Sequence, residues 1–265
     1  MKPSSDSRVR GGVLILALAL VGGTGCVVID AANKNRYERQ QRDAEAARQR
    51  RIADLAGAGD PAAQTLLAYA LLTPSDPRQA DAPRALALLE QAAAQDYGVA
   101  QAMLGDILAG SVEGFLRVPR GFPPDPRERA RGITLLQREA TKACFYRPGP
   151  GMYSVAPAQR LGQLLGAAGR PGEGLLWRAR HILYCGGASA RYLAAEVTST
   201  RAKPELRTQA LALLTLTGDA KAIAEARTTL PAEDAVAADR LADDLRRQVA
   251  ASERDFPAPP RKELP

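Results

Sequence analysis

Cys26 is the residue of this sequence best placed for chemistry. It stands directly after Gly22-Gly23-Thr24-Gly25, four small residues. An apolar run from Val13 to Val21 precedes them, and a basic start (Lys2, Arg8, Arg10) precedes that. Basic, apolar, small is the layout of a secretory signal peptide, cut at the small residues. A cut there places a nucleophilic thiol at the new N-terminus. The apolar run falls short of the about 20 residues that span a bilayer. An ordinary mature thiol after cleavage and an uncleaved N-terminal anchor are the competing readings.

Two further cysteines, Cys144 and Cys185, remain in the exported chain. An oxidising compartment lets them pair. The alternative is two separate buried thiols. A metal site is disfavoured, because His181 is the single histidine and no Cys-x-x-Cys pair exists. His181 lies within Trp177-Arg-Ala-Arg-His181-Ile-Leu-Tyr184, which reads as a face of a helix. The sequence contains no Gly-x-Ser-x-Gly, no His-Glu-x-x-His and no phosphate-cradling Gly-rich loop ending in Lys-Ser/Thr. No catalytic, cofactor-binding or metal-ligating residue is nominated. The expectation is a non-enzyme. The alternative is a peptidoglycan-directed envelope enzyme or its activator, which needs a carboxylate or His in a concave pocket.

The elements that position these residues follow from the totals. The chain has 265 residues and a net charge of +7, falling to about +5 once residues 1–25 are removed. That excess is mild and requires no nucleic acid. Aromatics are only 5%. Ala and Leu dominate and β-branched runs are scarce, which favours helices packed through small residues. Residues 26–54 read as the start of the mature chain and a charged helical stem, with pairs such as Glu38–Arg42 at i,i+4 spacing. Residues 55–252 read as a helical domain. Residues 253–265, rich in proline, are expected to be disordered from Phe256 onward.

Within the helical domain the sequence repeats itself. Asp60 with Pro61 opens a helix that runs to Leu71. A second helix runs from Arg84 to Ala94 and a third from Val99 to Leu108. Ala63-Gln64, Leu67, Ala68 and Leu71 recur as Ala100-Gln101, Leu104, Gly105 and Leu108, 37 residues later. Arg84 to Ala93 can be laid over Arg131 to Ala140, 47 residues later, with the extra length in 111–129. Weaker echoes are Leu161-Gly162, Gly174 to Ala179 and Leu193-Ala194. Self-similarity at such periods marks stacked helix pairs. Further helices are expected at 204–214, 220–230 and 232–251.

Two resemblances follow from these residues. Residues 1–26 resemble a bacterial lipoprotein signal, with Cys26 as the acylated cysteine, although Gly23 stands where that signal prefers Leu, Val or Ile. The resemblance implies lipidation at Cys26. Val27 in place of Asp implies outer-membrane sorting, facing the periplasm. The alternation of Ala-x-x-x-Leu-Gly helices with Ala-x-x-Trp/Leu-x-x-Ala helices resembles Sel1-like repeats, relatives of the tetratricopeptide repeat. Gly59 to Gly110 carries it best and 130–197 loosely. It implies an all-α solenoid of antiparallel helix hairpins and a scaffold that holds an envelope protein partner, in secretion, polysaccharide export or toxin immunity. Its membrane contact is the N-terminal lipid.

Two loops are the candidate partner-binding segments. The first carries Phe115, Arg117, Arg120 and Phe122 among prolines and glycines, in an insertion longer than a repeat needs. The second carries Phe145, Tyr146, Arg147 and Tyr153 directly after Cys144. Aromatics and Arg on constrained loops suit recognition. The alternative is a pair of linkers whose aromatics close the local core.

Overall fold

The computed structural model of the chain describes residues 10–74, 76–110, 125–186, 190–199 and 201–260, and of residues 10–32 and 77 the backbone alone. The chain divides between Asp54 and Leu55 into two compact units. The first is carried by α1 (Arg10–Gly57). Every residue from 33 to 51 is exposed, as expected of a solvated stem. Among the described residues of the stem, Glu45 and Arg48 form an ion pair at 3.8 Å, and Glu38 and Arg42 do not. Among the described residues no helix is long and apolar enough to cross a membrane.

The second unit is all-helical among its described residues: α2 (Pro61–Leu72), α3 (Ala82–Ala94), α4 (Gly98–Ala109), α5 (Pro126–Ala140), α6 (Pro157–Ala167), α7 (Pro171–Cys185), α8 (Ala190–Thr198), α9 (Pro204–Thr217), α10 (Ala220–Arg227) and α11 (Ala232–Ala251). Aspartates start four of them. The carboxylates of Asp60, Asp81, Asp125 and Asp219 accept from the backbone N–H of Ala63, Arg84, Arg127 and Ala222. Each such cap satisfies a donor that the first turn leaves open and is worth about 1 kcal/mol. Pro61, Pro83 and Pro126 occupy first-turn positions, where a missing N–H costs nothing. This explains two boundary differences. Helices α3 and α5 begin at Ala82 and Pro126, ahead of the Arg84 and Arg131 expected from periodicity, because an Asp-x-Pro or Asp-Pro start recruits the preceding residues.

Consecutive helices pack as pairs, most intimately α2 on α3, α4 on α5, and α6 on α7. The pairs cross at their smallest residues. A Cβ on Gly132 would lie 2.5 Å from Ala109 N and 2.7 Å from Gly105 O, all backbone. On Gly174 it would lie 2.6 Å from Gly162 O and 2.8 Å from Gly166 N. Main chains therefore touch, a closeness that only glycine permits. Ala68 and Ala85 hold the sequence-equivalent places in the first pair, and both are fully buried. Helices α8 and α9 pack together, and α9 packs on α11.

Two apolar cores result. One gathers α2 to α6, with Leu72, Leu89, Met103, Leu104, Leu136 and Leu161 among its buried side chains. The other gathers α7 to α11 around Leu193, Val197, Leu211, Leu214 and Leu245. Helix α7 serves both, placing Trp177 in the first and Leu175, Ala179 and Ile182 in the second.

The C-terminal segment departs from the expected disorder as far as Pro260. Residues Ser252–Arg254 form a 3-10 turn, and Phe256 packs edge-on against Trp177 with ring centroids 5.0 Å apart. Arg180, 3% exposed, donates to Ser252 Oγ at 2.6 Å and to the carbonyls of Phe256 and Pro257. Its guanidinium lies 5.3 Å from the Trp177 ring centroid and 5.2 Å from that of Tyr184. Tyr184 donates to Glu253. A segment leaving the second core is thus strapped to the first. Composition alone missed this, because the donors that order the proline-rich carbonyls come from another helix. Residues 261–265 lie outside the described residues.

Candidate functional site

The sequence-nominated loops fare differently. Phe115, Arg117, Arg120 and Phe122 lie outside the described residues, and of Cys26 only the backbone is described. Cys144 and Cys185 form a disulfide, with Cα atoms 5.5 Å apart, which ties the α5–α6 loop to the end of α7. Within that loop Tyr146 and Val155 exchange two backbone hydrogen bonds of 2.8 Å.

Two of the four nominated residues in this loop turn inward. The Tyr146 hydroxyl donates to Glu139 Oε2 at 2.6 Å. Glu139 is fully buried and also takes Lys142 and Arg138 at 3.2 and 3.3 Å. Burial, and then that hydrogen bond to Glu139, push the Tyr146 phenol well above its ordinary range. Gly98 makes room for the ring, since a Cβ there would lie 2.7 Å from Tyr146 Cε1. Phe145 and Arg147 stay exposed, with the Phe145 ring edge-on to buried His181 at 5.4 Å.

Tyr153 is the second inward residue. Its hydroxyl donates to Asp106 Oδ2 at 3.0 Å. Asp106 is fully buried on α4, with Arg160 Nε 3.5 Å from Oδ1. Burial pushes the Asp106 carboxyl up to about 6, against the pull of Arg160. The folded pKa therefore lies above the ordinary 3.8. The native state holds the proton more tightly, so this group's contribution is complete below about pH 4 and is lost as pH rises through about 6. A shift of about two units corresponds to about 3 kcal/mol. In urea melts from pH 4 to 7, Asp106→Asn should gain about that much stability relative to the parent chain. A constant difference across the range would show that Asp106 titrates normally.

A broad concavity lies elsewhere, on α6 to α9. One cavity of about 570 Å³ is lined by Gln159, Gln163 and Gly166 of α6, Arg178 and Ile182 of α7, and Tyr192 and Glu196 of α8, among others. A second, of about 260 Å³, is bounded by Arg178 and Glu196 again, then Ser199, Ala202, Leu206 and Gln209. The two share the Arg178–Glu196 ion pair, 2.9 Å long with each side chain 32% exposed. They form one groove with a charged bar across it. Tyr192 is 65% exposed and Leu206 53%, so each compartment has an uncovered apolar side chain. Leu193 and Val197 face the core one helical turn apart, and Tyr192 sits off that stripe.

Chemically, the groove offers amide, guanidinium and carboxylate contacts around apolar surface, the mixture of a recognition site. Among the described residues no group of three His, Cys, Asp or Glu side chains is placed to hold a metal ion. Sequence reading missed the groove because four helices, α6 to α9, and the α8–α9 loop assemble it. The one local signal was an aromatic or leucine lying off its helix's buried stripe. No protein-family model, curated protein or solved structure matches the chain.

Proposed function

We propose that this chain is an outer-membrane lipoprotein, anchored through Cys26 and facing the periplasm, whose helical hairpins form a Sel1-like solenoid that holds a protein partner of the cell envelope. The observation that carries the binding reading is the groove on α6 to α9, with Tyr192 and Leu206 uncovered on either side of the Arg178–Glu196 pair. An exposed tyrosine beside a concavity is a common interface anchor, and Leu206 adds apolar surface next to it. The repeat reading draws support from the glycine crossings, Gly105 with Gly132 and Gly162 with Gly174, and from the buried Ala68 and Ala85 at the equivalent sequence places of the first pair. The anchor reading draws support from the order of residues before Cys26 and from the exposed stem that would follow the lipid. Several acyl chains on one cysteine give stable anchoring without a spanning helix. Secretion, polysaccharide export and toxin immunity are the settings that suit such a scaffold.

Chemical cross-linking in intact cells, followed by purification from detergent-solubilised envelopes and mass spectrometry, tests the reading. The expected result is one envelope protein recovered in amounts comparable to the bait. Recovery of the bait alone would contradict it.

A further inference from the structure

We propose that the groove on α6 to α9 binds an extended, acidic peptide segment of the partner protein. The inference deepens the scaffold reading and rests on it. Four observations lead to this ligand.

The first is spacing. Gln159 and Gln163 line the groove from successive turns of α6. Four residues of helix rise about 6 Å. Two residues of extended chain advance about 6.8 Å, the repeat of peptide groups on one side of a strand. A glutamine amide both donates and accepts, so the pair matches two successive peptide groups. Gln163 Oε1 accepts from Arg160 Nη1 at 2.9 Å, which leaves its NH2 as a donor.

The second is room for a main chain. The α6 wall between and beyond the glutamines is Gly162, Gly166 and Ala167. A Cβ on Gly166 would meet nothing within 4 Å. At Gly162 the Arg178 side chain lies against the wall, with its Cγ 2.5 Å from where a Cβ would be, so the open stretch is at Gly166.

The third is the pair of anchors. Tyr192 serves the larger compartment and Leu206 the smaller, on either side of the ion pair. A segment lying along the groove would place one apolar side chain in each and a polar one at the bar between them.

The fourth is charge. The charged side chains lining the two cavities, Arg178 and Glu196, pair with each other, so any excess charge comes from their sequence neighbours. Arg191, Arg201 and Lys203 are exposed and adjoin the lining residues Tyr192 and Ala202 in sequence, against one exposed carboxylate, Glu205, next to Leu206. Arg178 uses a single N–H of its guanidinium on Glu196. A guanidinium has five N–H donors, and a pair of them matches a carboxylate. The groove therefore favours a ligand with excess Asp and Glu, and such a charge pattern also speeds encounter.

The test is selection of a random 12-residue peptide display library on the full chain in detergent micelles. The enriched peptides are then titrated by fluorescence anisotropy. The expected peptides are acidic and carry two apolar residues. Each of Tyr192→Ser, Leu206→Ser and Arg178→Gln should weaken their binding at least about 10-fold, while circular dichroism confirms that the variants stay folded. No enrichment, basic or neutral consensus peptides, or undiminished binding to all three variants would overturn the proposal. The two readings fail separately. A partner cross-linked in cells as strongly by the Tyr192→Ser and Leu206→Ser variants as by the parent chain leaves the scaffold standing and removes the groove.

Discussion

Gly132→Ala should destabilise the protein by about 2 kcal/mol, although alanine is the better helix former. Helix propensity alone predicts a gain of up to about 1 kcal/mol. The new methyl group would sit 2.5 Å from Ala109 N, 2.7 Å from Gly105 O and 2.9 Å from Leu108 C. All three are backbone atoms, so no side chain can swing aside, and α4 and α5 must separate. Separation opens the contacts of Leu104, Leu108 and Leu136, which are almost wholly buried there. Overpacking of this kind costs about 1 to 3 kcal/mol. Gly172→Ala, in the first turn of α7, supplies the control, since a Cβ there meets nothing within 4 Å. It should be neutral or slightly stabilising. Urea denaturation of the two variants decides the matter, and equal stabilities would mean that the hairpins do not cross at Gly105 and Gly132.

The double variant Cys144→Ser, Cys185→Ser should lose about 3 to 4 kcal/mol. The bridge joins residues 41 apart in sequence, and closing a loop of that size removes about that much chain entropy from the unfolded state. The loss concentrates where the bridge acts. Phe145 would no longer be held against His181, and the loop bearing Tyr146 and Tyr153 would lose its tie to α7. A reducing agent should lower the parent chain's urea midpoint by the same amount and leave the double variant unchanged. A parent midpoint indifferent to reduction would exclude the bridge.

Much of this architecture is written locally. Asp60 with Pro61 announces α2, and the Leu-small steps at Leu67-Ala68, Leu104-Gly105 and Leu161-Gly162 mark the first helix of each pair. Cap chemistry and side-chain periodicity are properties of neighbouring residues, so they survive reading one residue at a time. The crossing partners Gly132 and Gly174 are harder to read, because a glycine within a helix signals weakness unless its neighbour helix is known. The strap was illegible for a related reason. Proline-rich composition points to disorder, and only the fold brings buried Arg180 to the carbonyls of Phe256 and Pro257. Tyr146 and Tyr153 looked like recognition residues because they sit with Phe145 and Arg147 on a constrained loop after Cys144. Their hydroxyls instead satisfy Glu139 and Asp106, two carboxylates buried on other helices. The groove needed four helices at once, so no segment of sequence could display it.

Anchoring is the claim on which the envelope scaffold depends, and mass spectrometry of the N-terminal peptide tests it most directly. Digestion of membrane-derived protein with trypsin should yield Cys26 to Lys34 as the first peptide, its mass raised by a diacylglyceryl thioether and an acyl amide at Cys26. A chain that keeps residues 1–25, or one that begins at an unmodified Cys26, would contradict the account.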